Sequence, residues 1–131
     1  MKKLILIVED DEMIRSIIYE FLEIENFNVI SAEDGCVGVY LAQELHPDLI
    51  LCDINMPKLD GFGVLENIRK NTRTAKTPFI FLTSEVDSES RKRAVELGAN
   101  DYLTKPVNIN RLLEAIANQL QKVHSSNTLS M

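Results

Sequence analysis

Four polar positions stand where this chain could do chemistry. Asp53 ends an apolar run, Asp48-Leu49-Ile50-Leu51-Cys52-Asp53, and opens the turn Ile54-Asn55-Met56-Pro57. An unpaired carboxylate at the end of a buried strand is expensive, so Asp53 calls for a partner. A group of acids, Glu9-Asp10-Asp11-Glu12, closes a second run, Leu4 to Val8. Thr83 ends a third run and Lys105 follows a fourth. Two carboxylates about 4 Å apart repel by roughly 4 kcal/mol at an effective dielectric near 20. A hard divalent cation removes that repulsion, and Mg²⁺ suits a site of few carboxylates, several waters and a phosphate oxygen. Asp53 is then a carboxylate nucleophile toward phosphorus. Lys105 can neutralise charge on the equatorial oxygens, and Thr83 can donate a hydrogen bond to one of them. Taken singly, each residue has a plainer reading. The acids can cap a helix, Asp11 or Glu12 above all. Asp53 can form a turn before Asn55, Thr83 can be a last strand residue, and Lys105 a solvated loop lysine. The combination carries the argument, because all four fall at the carboxyl ends of separate strands, where open parallel α/β sheets bind ligands.

The elements that must position these residues alternate strictly. Strands are expected at Leu4–Val8, Asn28–Ser31, Leu49–Asp53, Pro78–Thr83 and Asp101–Leu103. Between them, helical periodicity runs over Glu12–Ile24, with Ile14, Ile17, Ile18, Phe21 and Leu22 inward, and from Asp34 as cap to about Leu45. Further helices are expected at Gly61–Lys70, at Asp87–Leu97 with Gly98 as C-terminal cap, and at Asn110–Val123 with Leu112, Leu113, Ile116, Ala117 and Leu120 inward. Continuous rather than alternating apolar strands imply a parallel sheet covered on both faces, a doubly wound α/β fold of five β-α units. Residues 1–123 form one domain, and 124–131 are expected to be a flexible polar tail.

The chain has 131 residues, 45% of them hydrophobic, which suits a single well-filled core. A net charge of −6 argues against nonspecific nucleic-acid binding and against docking to an anionic membrane. Cys36 and Cys52 have no metal-type or redox spacing, and Cys52 reads as a buried free thiol in a reducing, cytoplasmic compartment. His46 and His124 read as solvated. No apolar stretch approaches the length of a membrane span or a signal peptide.

The motifs I-L-I-V-E-D-D, L-I-L-C-D-I-N-M-P-x-x-D-G, F-I-F-L-T-S and G-A-N-D-Y-L-T-K-P jointly resemble the response-regulator receiver domain, the CheY-like family of two-component signalling, over about residues 3 to 122. The resemblance implies a flavodoxin-like (βα)5 fold of strand order 2-1-3-4-5, an order general protein chemistry already records for CheY. It implies that Asp53 is the phosphoacceptor. Asp10, Asp53 and the backbone carbonyl of Asn55 would hold Mg²⁺, with Mn²⁺ an alternative ion, and Glu9 would act through water. Glu9 stands where many members carry Asp. Thr83 and Tyr102 match the switch pair, Lys105 the phosphate-binding lysine, Pro106 a cis-proline that aims Lys105, Pro57 a residue of the loop, and Gly61 the glycine that starts the third helix.

The expected donor is a phosphohistidine on a sensor kinase or phosphotransfer protein, with slow self-dephosphorylation in the same pocket. Asn55 and Glu85, each two positions beyond Asp53 and Thr83, are expected to tune that hydrolysis. Added phosphoryl charge would draw Thr83 inward, let Tyr102 turn from exposed to buried, and change the surface made by the Asp87–Leu97 helix, the fifth strand and the last helix. That surface would bind a downstream protein or a second copy, in which Arg111 and Asp101 could pair across the dimer. The run Glu89-Ser90-Arg91-Lys92-Arg93 is either a solvated face or part of that docking surface. A phosphorelay intermediate and a piece of a larger regulator are alternatives. A Mg²⁺-dependent phosphohydrolase of the haloacid-dehalogenase type fits poorly, since it needs a D-x-D motif on the first strand. A passive binding module would not need so complete a pocket.

Overall fold

The computed structural model describes the backbone of residues 1–129 and the side chains of residues 1–122. Five β-α units follow one another: β1 (Leu4–Val8), α1 (Glu12–Ile24), β2 (Asn28–Ala32), α2 (Gly35–Leu45), β3 (Leu49–Cys52), α3 (Gly61–Lys70), β4 (Phe79–Thr83), α4 (Ser88–Leu97), β5 (Asp101–Thr104) and α5 (Ile109–Leu129). The strands form one parallel sheet in the order β2-β1-β3-β4-β5, as expected.

The pleat explains why the central strands contain so little polarity. Leu6, Val8, Ile50, Cys52, Phe79 and Phe81 project to one face, against Ala42 of α2, Phe62, Leu65 and Ile68 of α3, and Ala94 of α4. Ile5, Ile7, Leu49, Leu51, Ile80 and Leu82 project to the other, against Ile18 and Leu22 of α1 and Leu112, Ala115 and Ile116 of α5. Both faces are covered, so both sets must be apolar.

Each of the first four helices starts on an aspartate. Asp11, Asp34, Asp60 and Asp87 accept from the backbone N–H of Ile14, Val37, Gly63 and Ser90, respectively, satisfying amides the helix leaves unpaired. Asn108 does the same for α5 through Asn110 and Arg111. Gly98 ends α4 at φ 99°, a left-handed conformation that favours glycine. The helix starts hold the short loops that carry the site.

Several expectations need correction. Ile17 is 58% exposed rather than inward, and Ala117 is exposed while Ala115 and Gln119 are buried. On α5 the inward stripe falls at 112, 115, 116 and 119, the spacing a helix face requires. That helix runs on to Leu129, past the expected end at Val123, because no glycine or proline stops it. The expected tail, residues 124–131, therefore overlaps α5; residues 130 and 131 lie outside the described residues. His46 is exposed at the end of α2, whereas the side chain of His124 lies outside the described residues.

Candidate functional site

The carboxyl ends of β1, β3 and β4 form the floor of an acidic pocket. The sheet's hydrogen bonding continues one residue past the strands, so Asp53 N–H donates to the Val8 carbonyl (3.0 Å), Glu9 N–H to Ala32 (3.0 Å) and Lys105 N–H to Thr83 (2.8 Å). These bonds fix the backbones of the residues that meet in the pocket. Glu9, Asp10 and Asp53 each offer a carboxylate oxygen, and these oxygens lie within 4.8 Å of one another. Glu9 and Asp53 are buried, and Asp10 faces solvent.

Among the described residues, one cation pairs with two of these three acids. Lys105 Nζ lies 2.6 Å from Glu9 Oε1 and 3.3 Å from Asp53 Oδ2. The pairing spans 96 residues of sequence. Nothing in the composition of either segment signals it. Burial raises the Glu9 carboxyl above its ordinary range, against the opposing pull of Lys105 and of the Asp11 amide. Burial lowers the Lys105 ammonium, but the Glu9 hydrogen bond and the Asp53 charge outweigh it, and the lysine stays charged. Even so, three carboxylates against one ammonium leave the pocket short of positive charge. The donor set is all hard oxygen and partly solvent-facing, which fits a small divalent cation with bound water.

Asp53 is 8% exposed and is held from several sides. Its Oδ1 accepts from the Ile54 N–H at 2.7 Å. Its backbone carbonyl accepts from the Cys52 thiol at 3.1 Å. Burial, with the nearby charges of Asp53, Glu9 and Asp60, pushes that thiol well above its ordinary range, so it stays protonated. Gly61 opens α3 against this backbone. A Cβ at position 61 would stand 2.2 Å from the Asp53 carbonyl oxygen, so only glycine allows the approach. The Lys105–Pro106 peptide is cis, and Pro57 lies exposed in the loop after Asp53.

Thr83 is fully buried at the end of β4, and its hydroxyl accepts from the Glu85 N–H at 3.2 Å. The Asn55 side chain donates to the Glu85 carboxylate, joining the loops that follow β3 and β4. The structure thus brings the two expected tuning residues into direct contact.

Two expectations about the distal surface are corrected. Tyr102, expected to lie exposed until Asp53 is modified, is 7% exposed and inward. Its hydroxyl donates to the Glu85 carbonyl at 2.7 Å, its ring meets Phe81 edge-on at 6.0 Å, and the Arg91 guanidinium covers it at 4.6 Å. Arg111, expected to reach Asp101 of a second copy, meets Asp101 of its own chain at 3.6 Å. Neither contact is visible in local sequence, since each joins separate elements.

An apolar groove adjoins the pocket. Ile14, Ile17, Pro106, Val107 and Ile109 line it beside Lys105, and Met13 stands 73% exposed nearby. Sequence periodicity alone assigned Ile17 to the core.

Residues 5–117 match the family described as the response regulator receiver domain. The chain belongs to the response-regulator receiver family. It is 37% identical over 118 residues to the DNA-binding dual master transcriptional regulator RpaA of Synechocystis sp., covering 90% of this chain and 49% of that protein. It is 41% identical over 122 residues to the transcriptional regulatory protein CpxR of Escherichia coli K12, covering 93% and 51%. The chain thus spans about half the length of these curated relatives. Among solved structures, a CheY-like receiver domain protein from Methanospirillum hungatei superposes with a TM-score of 0.91 at 30% identity, covering 96% of this chain and 99% of that one. The receiver domain of the sensor histidine kinase PA1611 from Pseudomonas aeruginosa, which carries a magnesium ion in its active-site cleft, superposes with a TM-score of 0.86 at 29% identity, covering 92% and 99%. These likenesses establish a receiver of two-component signalling with the CheY-like fold. No helix among the described residues is long and apolar enough to cross a membrane.

Proposed function

We propose that Asp53 is the phosphoacceptor of a switch that takes its phosphoryl group from a phosphohistidine of a sensor kinase or phosphotransfer protein. The observation that carries this reading is Lys105 Nζ at 3.3 Å from Asp53 Oδ2, beside the cluster of Glu9, Asp10 and Asp53. In the transfer, an Asp53 carboxylate oxygen forms the new bond to phosphorus, the donor's N–P bond breaks, and the histidine leaves as imidazole. Lys105 holds the phosphoryl oxygens, and the Thr83 hydroxyl, which accepts from the Glu85 amide, donates a hydrogen bond to one of them. Asp10, Asp53 and the Asn55 carbonyl are the ligands we assign to Mg²⁺ or Mn²⁺, with Glu9 acting through water. When bound, the ion supplies charge neutralisation at the carboxylates and the phosphoryl oxygens. The magnesium in the PA1611 receiver supports the same ion here.

Hydrolysis reverses the modification. Water attacks phosphorus, the P–O bond to Asp53 breaks, and inorganic phosphate leaves. Asn55 and Glu85, whose side chains meet, are the pair we assign to tuning that rate. The protein would act on no substrate but its own phosphoryl group, in the cytoplasm, where free Cys36 and Cys52 are at home. The output surface is α4, β5 and α5. The likeness to RpaA and CpxR supports a second reading, in which this receiver governs a transcriptional regulator through a dimer or an adjoining segment.

The deciding experiment is incubation with Mg²⁺ and a small acyl-phosphate donor, followed by mass measurement. A gain of one phosphoryl group that Asp53→Ala abolishes is expected. No gain at saturating donor overturns the reading.

A further inference from the structure

The tuning pair and the switch tyrosine are joined by a single residue. Glu85 accepts from Asn55 with its carboxylate, donates its N–H to Thr83 Oγ1, and receives the Tyr102 hydroxyl on its carbonyl. Three groups of one residue therefore tie the loop after β3, the end of β4 and β5 together. Among the described residues, the loop after β4 makes no other hydrogen bond to β5 that would hold Glu85 in register with both partners. Its setting depends on Tyr102 staying inward.

Arg91 of α4 packs on Tyr102. The guanidinium lies over the ring at 4.6 Å on the side facing solvent, while Phe81 meets the ring from within. A cation over an aromatic face is held by the ring's charge distribution, and it screens the ring from water. Arg91 is itself exposed, so little else fixes it. A second arginine of α4 offers an internal comparison. Arg93 covers Phe62 at 4.3 Å, but Phe62 has no hydroxyl and makes no bond to the loop after β4.

We propose that Arg91 is a positioning residue for the phosphoryl pocket, acting through Tyr102 and Glu85 to keep Asn55 and Glu85 in contact and so to prolong the phosphoryl group on Asp53. The inference rests on the reading of Asp53 as phosphoacceptor. It gives the charged run on α4 a use other than solvation or docking. The surface that reports the modification then also sets how long the modification lasts, and a partner that engages Arg91 would change that time.

The test loads the full chain with Mg²⁺ and a small acyl-phosphate donor, removes the donor, and follows loss of the phosphoryl group by mass. Arg91→Ala is expected to shorten the lifetime about two- to fivefold, the effect of losing one exposed cation–π contact. Arg91→Lys should restore most of it. Tyr102→Phe, which lacks the donor hydroxyl, should shorten the lifetime, and adding Arg91→Ala to it should change nothing more. Arg93→Ala should leave the lifetime unchanged. Equal lifetimes in Arg91→Ala and the parent overturn the inference, as does an equal shortening by Arg93→Ala, or full additivity with Tyr102→Phe. Failure of the parent chain to take up phosphoryl at all overturns instead the assignment of Asp53, a result distinct from the others.

Discussion

Gly61→Ala is the sharpest test of how the fold sets the pocket. A Cβ at this position would stand 2.2 Å from the Asp53 carbonyl oxygen, 2.8 Å from Ile54 Cα and 2.9 Å from Phe81 Cε1. The first is about 1 Å inside ordinary contact, and two of the three partners are backbone atoms that cannot rotate away. Gly61 N–H also donates to the Ile54 carbonyl at 2.8 Å, so α3 cannot retreat without stretching that bond. Overpacking of this kind costs about 1–3 kcal/mol, and weakening the hydrogen bond adds about 1 kcal/mol. We expect a loss of about 2–4 kcal/mol in urea unfolding. A displacement of about 1 Å at Asp53 should slow phosphoryl uptake by about a hundredfold. Gly63→Ala is the control, because its nearest obstacle is the flexible end of Leu59 at 2.5 Å. The reasoning is refuted if Gly61→Ala matches the parent in unfolding midpoint and in uptake from a small acyl phosphate, or if Gly63→Ala is the more damaged of the two.

Other predictions separate the roles of neighbouring groups. Lys105→Met should lower phosphoryl uptake yet tighten Mg²⁺ binding at least about fivefold in calorimetry, since it removes a positive charge from beside the acids; weaker Mg²⁺ binding would contradict the charge argument. If the phosphohistidine protein seats on the apolar groove beside Lys105, Ile17→Glu on its exposed lip should lower transfer from that protein while uptake from a small acyl phosphate stays as in the parent; equal loss with both donors would show damage to the pocket instead. The Val37 amide, opposed by burial and helped by Lys58, holds the Asp34 carboxyl below its ordinary 3.8. Its folded value is depressed, so its contribution is present above 3.8 and lost as pH falls through the lower folded value, and Asp34→Asn should flatten that acid limb of the unfolding midpoint.

Much of the architecture is written locally. Leu49 to Cys52 and Phe79 to Thr83 are apolar on both faces, which only a doubly covered strand tolerates, and Asp11, Asp34, Asp60 and Asp87 mark four helix starts. The placing of Asp53, Thr83 and Lys105 at or just beyond strand ends was legible because each ends or follows such a run. What was hidden depends on pairs of elements. The inward Tyr102 meets an arginine from α4 and a carbonyl from the loop before it. The bond of Arg111 to Asp101 within the chain needs α5 to lie beside β5. Arg69 shows the same limit. Its guanidinium donates to the carbonyls of Ala75, Thr77 and Gly98 and to Asn100 Oδ1, tying α3 to the loops on either side of β4 and α4, yet in sequence it is one basic residue on an amphipathic helix.

The pocket combines two kinds of support with different responses to charge. Its floor is backbone bonding continued from the sheet, through Val8, Ala32 and Thr83, which added charge does not redirect. Its rim consists of side-chain contacts: Lys105 on Glu9, Asn55 on Glu85, and the Glu85 amide on Thr83. A phosphoryl group on Asp53 would bring a charge of about −1.5 to −2 and three acceptor oxygens, so it would compete with Glu9 for the Lys105 ammonium and would accept from the Thr83 hydroxyl. Lys105 sits closer to Glu9, at 2.6 Å, than to Asp53, at 3.3 Å. Drawing it toward Asp53 leaves Glu9, already raised by burial, with less compensation. That debt falls on whatever cation the acids share, which is why uptake should require the ion even though Asp53 and Lys105 already touch.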